Sequence, residues 1–155
     1  ESTTRSLSLD LAAQLRGFEK NGQFRYSPPT HSLLAFEQAL NELDTEGGVE
    51  GRAARYKRNH EVLMNGMESL GFKSYLDAKF QSYLITSFHF PEDSKFTFDA
   101  FYRKLSDRGM IIYPGKISQV DLFRIGSIGR IFECDVLALV GSIQGALTDM
   151  GVSMR

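Results

Sequence analysis

The spacing of apolar residues changes near Phe72, and this change constrains the fold more than any other feature of the sequence. Before it, apolar side chains recur at three- and four-residue steps over 33–43 and 53–70, the pattern of amphipathic helices. After it, "FQSYLITSFHF" places alternate residues on two faces, as a β-strand does. The chain is therefore predicted to begin with a helical arm and to continue as a lobe that contains both strands and helices.

The elements predicted after Phe72 come in the order strand, helix, strand, strand, helix. "MIIYPG" and 120–128 are the second and third strands, and Phe101 and Ile143 lie on the inner sides of the two helices. This order predicts an α+β fold with a small, mostly antiparallel sheet and helices on one of its faces. In the arm, "SLSLDLAAQL" indicates a short strand or the entry to a helix, and Ser27 or Thr30 is expected to cap the helix that follows.

Composition excludes several classes of partner. The 155 residues carry a net charge of -1, which offers no general attraction to polyanions, and the basic cluster in "GRAARYKRNH" is expected to form the solvated side of a helix. No apolar run approaches the ~20 residues that span a bilayer. We therefore expect neither a nucleic acid nor a membrane as partner. Cys134 is the one cysteine, which excludes an internal disulfide and favours a cytoplasmic location.

No motif for metal binding or nucleophilic catalysis is present in the sequence. His31, His60 and His89 lack the spacing of metal ligands, so structural roles are expected and no metal site is predicted. Cys134 has no neighbouring base and is expected to be a small core residue. The glycines around Gly126 and Gly129 do not form a phosphate-binding loop, because no strand-to-helix context surrounds them.

Two residues suggest a binding role. Arg124 lies between Phe123 and Ile125 in an apolar strand, and burial of a permanent charge requires an anion, either a carboxylate of the chain or a ligand. Gly126, on the same face of the strand, leaves room for a ligand. Ser27 precedes two prolines at a predicted helix start, where its hydroxyl could cap the helix or bind a phosphate.

Four segments, "SLSLDL", "RGFEKNGQFRYSPPTH", "GMIIYPGKIS" and "LFRIGSIG", resemble the C-terminal portion of the 2-aminoethylphosphonate:pyruvate aminotransferases. These are class V members of the fold type I pyridoxal phosphate enzymes. The resemblance implies a homodimer whose subunits have a large cofactor domain followed by a small C-terminal domain. Residues 1–71 would then be the end of the large domain and a connecting helical arm, and residues 72–155 the small α+β domain.

The resemblance also implies roles for both candidate residues. Arg124 matches the arginine that pairs with the acid group of the substrate, and Ser27 matches a position, usually threonine, that bonds the phosphate of the neighbouring subunit's cofactor. The catalytic lysine and aspartate are expected upstream, so no catalytic residue is assigned to this chain. The lysines that do not match the family's lysine motif are Lys20, Lys57, Lys73, Lys79, Lys95, Lys104 and Lys116. Lys116 is expected to be a surface residue of a turn.

The function implied for the whole protein is transfer of the amino group of 2-aminoethylphosphonate to pyruvate, which gives phosphonoacetaldehyde and alanine. This chain alone is expected to be inactive, because it lacks the cofactor lysine. Two alternatives stay open: another class V aminotransferase that acts on alanine, serine or glyoxylate, and a non-catalytic module for dimerisation or ligand binding.

Overall fold

The computed structural model describes residues 5–115 and 120–153, which fall into two units, Glu1–Glu46 and Gly47–Arg155. The first unit consists of α1 (Leu11–Asn21) and α2 (Thr30–Thr45). The Asp10 carboxylate caps α1 by accepting a hydrogen bond from the Ala13 amide at 2.9 Å. The segment "SLSLDLAAQL" is therefore the entry to a helix, one of the two alternatives expected.

The start of α2 differs from the prediction. Pro29 occupies the N-cap position, and no side chain caps the helix. Ser27 lies two residues before this position, too early to reach the amides of the first turn, and Thr30 lies inside the helix, so the predicted cap is wrong for both. The first turn instead uses backbone bonds, in which the Pro28 and Pro29 carbonyl oxygens accept from the amides of Thr30 and Leu33 at 2.9 and 3.1 Å.

The second unit contains the predicted series of strands and helices. Its elements are α3 (Gly48–Ser69), a 3-10 turn (Ala78–Phe80), β1 (Ile85–His89), α4 (Phe98–Ser106), β2 (Tyr113–Pro114), β3 (Leu122–Gly126) and α5 (Glu133–Met150). The strands form one antiparallel sheet in the order β1-β3-β2. The predicted α+β fold with a small antiparallel sheet is confirmed.

One face of the sheet forms the core with the helices. Phe123 on β3 is fully buried, and the centre of its ring lies 5.4 to 5.8 Å from the rings of Phe72, Phe88 and Phe101. The buried hydrophobic residues of α3, α4 and α5 belong to the same cluster. Because side chains alternate along a strand, Arg124 projects from the opposite face.

Two helices approach closely on the core side. Gly66 of α3 faces Val140 of α5, and a β-carbon at position 66 would lie only 2.7 Å from a methyl carbon of that valine. Glycine therefore permits the close packing of α3 and α5 at this point. The helix α3 belongs to the second unit of the structure. The expected division at residues 71 and 72 concerns the domains of a whole enzyme and stays a prediction.

The basic cluster of α3 does more than form a solvated surface. Arg55 donates hydrogen bonds to the carbonyl oxygens of Gly129 and Ile131 at 2.9 and 2.7 Å, and Arg58 forms two bonds of 3.0 and 2.8 Å with the Glu133 carboxylate. The bonds from Arg58 lower the pKa of Glu133. These contacts hold the loop that follows β3 and the start of α5 against α3. Arg58 remains exposed, as expected for the solvated side of a helix, and in addition pairs with Glu133.

The prediction for Cys134 is also wrong, because its side chain is exposed. The buried side of α5 includes Val136 and Ile143. A residue two positions before Val136 is rotated by about 200° around a helix and therefore lies on the opposite, outer side. Cys134 is therefore exposed because of its position on the outer side of α5.

Asn59 of α3 is buried and donates a hydrogen bond of 2.7 Å from Nδ2 to the carbonyl oxygen of Ile131. We expect Asn59→Ala to lower the free energy of unfolding by about 1–2 kcal/mol, because a buried hydrogen bond is lost. Urea unfolding of the full-length protein measures the effect. Asn65→Ala is the matched control, since Asn65 lies on the same helix and is exposed. Equal effects of the two substitutions would show that the Asn59 bond contributes nothing.

Candidate functional site

Arg124 lies at the centre of the face of the sheet opposite the core. Its register partners are Ser87 on β1 and Tyr113 on β2, so a hydroxyl-bearing residue flanks it on either side. Across antiparallel strands such partners share a face, with β-carbons about 4.5–5.5 Å apart. The arrangement places one cation between two hydroxyl-bearing side chains.

The Arg124 side chain is half-buried and held by the backbone. Its Nε donates a hydrogen bond to the carbonyl oxygen of Pro114 at 3.2 Å. Within the described ranges, 5–115 and 120–153, no carboxylate lies within 4.0 Å of its guanidinium, and its two terminal nitrogens form no hydrogen bond. The described residues therefore do not support the alternative of a structural salt bridge.

Space beside Arg124 is provided by Gly126. A β-carbon at this position would meet only the Leu84 carbonyl oxygen, 3.9 Å away, among the described atoms. On the far side of β1, residues 73–75 extend the sheet through a bridge between Ser74 and Phe88 and bring the Tyr75 ring to within 5.6 Å of His89. The result is a polar surface around a guanidinium whose terminal nitrogens can bind an acid group in two-point fashion.

Ser27 belongs to the first unit and Arg124 to the second. The Ser27 side chain is exposed, and its hydroxyl forms no hydrogen bond with any residue that the structure describes. It is thus available as a donor. The adjacent Pro28 and Pro29 have no amide hydrogens, so the donors that this short segment could offer to a phosphate are the hydroxyl and the amide of Ser27.

The lysines that the structure describes include several with surface partners. Lys79 pairs with Asp77 at 3.8 Å, Lys104 with Asp149 at 3.6 Å, and Lys95 donates to the Gly151 carbonyl oxygen at 3.1 Å. Lys116 lies outside the described residues. Among the described residues, no group of three metal-ligating side chains could hold an ion, and no helix is long and apolar enough to cross a membrane.

Sequence reasoning missed a second polar site, a cavity of about 380 Å³ between α3 and the segment before β1. His60 Nε2 and Gln81 Oε1 both line it, and both are buried without a hydrogen-bond partner among the described residues. Burial lowers the pKa of His60. The apolar stripe of α3 placed His60 on the inner side of its helix, but no sequence signal paired it with Gln81.

Comparison with known proteins finds relatives of one name. The 2-aminoethylphosphonate–pyruvate transaminase of Salmonella paratyphi B is 50% identical to this chain over 145 residues, which are 93% of the chain and 40% of that relative. This chain is similar to one portion of that transaminase. The sequence motifs indicated the C-terminal portion, and the chain spans about 40% of the length of the curated relatives it matches. No family model matches it.

Solved structures support the fold of this chain. The alanine–glyoxylate aminotransferase of Nostoc superposes with a TM-score of 0.76 at 18% identity, covering 94% of this chain and 40% of that protein. A phosphoserine aminotransferase of Trichomonas vaginalis with bound pyridoxal phosphate gives a TM-score of 0.66 at 20% identity over 90% of this chain and 39% of its own. At these identities the comparison shows the shared fold.

Proposed function

We propose that the chain forms the part of a 2-aminoethylphosphonate:pyruvate aminotransferase that binds the acid group of the substrate. The whole enzyme would convert 2-aminoethylphosphonate and pyruvate into phosphonoacetaldehyde and alanine. The 50% identity with relatives of that name carries this proposal. Arg124 fits the role, because its terminal nitrogens have no carboxylate partner among the described residues and a guanidinium binds a carboxylate or phosphonate through two nitrogens.

The cofactor of the whole enzyme is pyridoxal 5′-phosphate, which supplies the electrophile that carries the amino group between the two substrates. The exposed Ser27 hydroxyl fits a phosphate oxygen as a hydrogen-bond donor. In the proposed homodimer it would reach the cofactor phosphate of the neighbouring subunit. The lysine that binds the cofactor is expected outside this chain, which we therefore expect to be inactive alone and to act as part of a cytoplasmic enzyme.

Within the substrate complex, Arg124 would orient the acid group and leave the reacting end of the substrate free. Its Nε bond to the Pro114 carbonyl oxygen fixes the plane of the guanidinium before the substrate binds. An orienting role of this kind predicts that Arg124 acts on both substrates, because each carries an acid group close to its reacting carbon: a phosphonate in 2-aminoethylphosphonate and a carboxylate in pyruvate.

A screen of amino donors with the full-length protein tests the proposed function. We expect kcat/KM for 2-aminoethylphosphonate with pyruvate to exceed that for alanine or serine with glyoxylate by at least about 100-fold, since alanine and serine lack the phosphonate group that the site would bond. Equal or faster reaction with alanine or serine would favour another class V aminotransferase. A full-length protein without the visible absorbance of the bound cofactor would favour a non-catalytic module.

A further inference from the structure

We propose that Ser87 is the residue that distinguishes a phosphonate from a carboxylate at the Arg124 site. This inference rests on the proposed function and adds a specificity-determining contact to it. Ser87 would donate a hydrogen bond from its hydroxyl to the third oxygen of the phosphonate, while Arg124 binds the other two.

Arg124 can offer a ligand only part of its guanidinium. A guanidinium has three nitrogens, and Nε of Arg124 is already bonded to the Pro114 carbonyl oxygen at 3.2 Å. The two terminal nitrogens remain for a ligand. Two donors in one plane match the two oxygens of a planar carboxylate. They leave one oxygen of a tetrahedral phosphonate without a donor from this side chain.

Ser87 is placed to supply that donor. It lies directly opposite Arg124 in the register of β1 and β3, on the same face of the sheet, and is half-buried. Its hydroxyl forms no hydrogen bond with the residues that the structure describes. Its β-carbon is expected about 4.5–5.5 Å from that of Arg124, so the hydroxyl lies on the same face of the sheet as the Arg124 side chain.

The backbone around Ser87 holds this position firmly. On one side β1 pairs with β3, and on the other the Ser87 carbonyl oxygen accepts a hydrogen bond from the Tyr75 amide at 2.9 Å. Ser87 thus lies in a strand that has neighbours on both edges. A donor on such a rigid element is positioned before the ligand binds, which reduces the entropy lost on binding.

Tyr113 is the competing candidate, because it is the partner of Arg124 on the other side. Its strand has only two residues and lies at the edge of the sheet, and its side chain is 60% exposed. Tyr113→Phe removes one hydroxyl from the same face and is therefore the matched control for Ser87→Ala.

The test uses the full-length enzyme and measures KM and kcat for each substrate in turn. Ser87→Ala is expected to raise KM for 2-aminoethylphosphonate by about 10- to 100-fold, the effect of losing a hydrogen bond to a charged group, and to change KM for pyruvate by less than about twofold. Ser87→Thr retains the hydroxyl and should restore the lower KM. Tyr113→Phe should change neither constant.

The outcomes separate this inference from the proposed function. If 2-aminoethylphosphonate is not a substrate of the parent enzyme, both are overturned. If it is a substrate but Ser87→Ala raises both Michaelis constants equally, or neither, the role of Ser87 is overturned and the proposed function stands. The same applies if Tyr113→Phe produces the selective effect. A thermal unfolding midpoint for each variant shows whether it is folded. If Ser87→Ala is not folded, the Michaelis constants of Ser87→Thr supply the second measurement.

Discussion

Arg124→Ala in the full-length enzyme is expected to raise KM for both acidic substrates by an amount that corresponds to about 2–4 kcal/mol, or about 30- to 900-fold. The physical reason is the loss of a two-point, charge-assisted contact to the phosphonate or carboxylate. Steady-state kinetics with each substrate varied in turn measure the effect. Arg124→Lys retains the charge but loses the planar fork, so it should recover only part of the loss.

Arg103→Ala provides the control for this experiment. Arg103 lies on α4, is exposed, and forms no side-chain hydrogen bond or ion pair among the described residues. Its substitution should leave both Michaelis constants unchanged. If Arg124→Ala also leaves them unchanged for both substrates, Arg124 does not bind the acid group and the proposed site is incorrect.

The largest effect on stability is expected from Phe123→Ala, which should lower the free energy of unfolding by about 3–5 kcal/mol. Phe123 is fully buried, and its ring packs against those of Phe72, Phe88 and Phe101 at the centre of the core. Truncation removes these contacts and leaves a cavity between the sheet and the helices. Urea unfolding followed by circular dichroism measures the loss.

Phe80→Ala is the control with the same change in side-chain size. Phe80 is 70% exposed, in the 3-10 turn before β1. Its substitution is expected to change the free energy of unfolding by less than about 0.5 kcal/mol. Similar losses for Phe80→Ala and Phe123→Ala would show that burial in the core does not explain the effect.

Most of the fold could be predicted from local patterns. The alternation in "FQSYLITSFHF" predicted β1, and the spacing of Phe98, Phe101 and Leu105 predicted α4, because side-chain periodicity follows directly from backbone geometry. The predictions that were wrong depended on the exact position of a residue within or before a helix. Cys134 is apolar enough for the core but lies on the outer side of α5, and Ser27 lies too far before α2 to cap it.

The candidate site was only partly predictable. An arginine between two apolar strand residues indicated an anion, and the structure places Arg124 on the face opposite the core. The positions of Ser87 and Tyr113 beside Arg124 depend on strand register, which the sequence of one strand does not specify. The bonds from Arg55 and Arg58 to the loop after β3 and the start of α5 join residues 74 to 76 positions apart, beyond the range of any local pattern.

The orientation of Arg124 depends on a main-chain carbonyl oxygen, that of Pro114, at 3.2 Å. Every amino acid has such a carbonyl, so substitution of the side chain at position 114 does not by itself delete the acceptor. Evolutionary drift at that position can thus leave the guanidinium aligned. Adaptation of this scaffold to a different acid group would then proceed through the side chains that border the guanidinium.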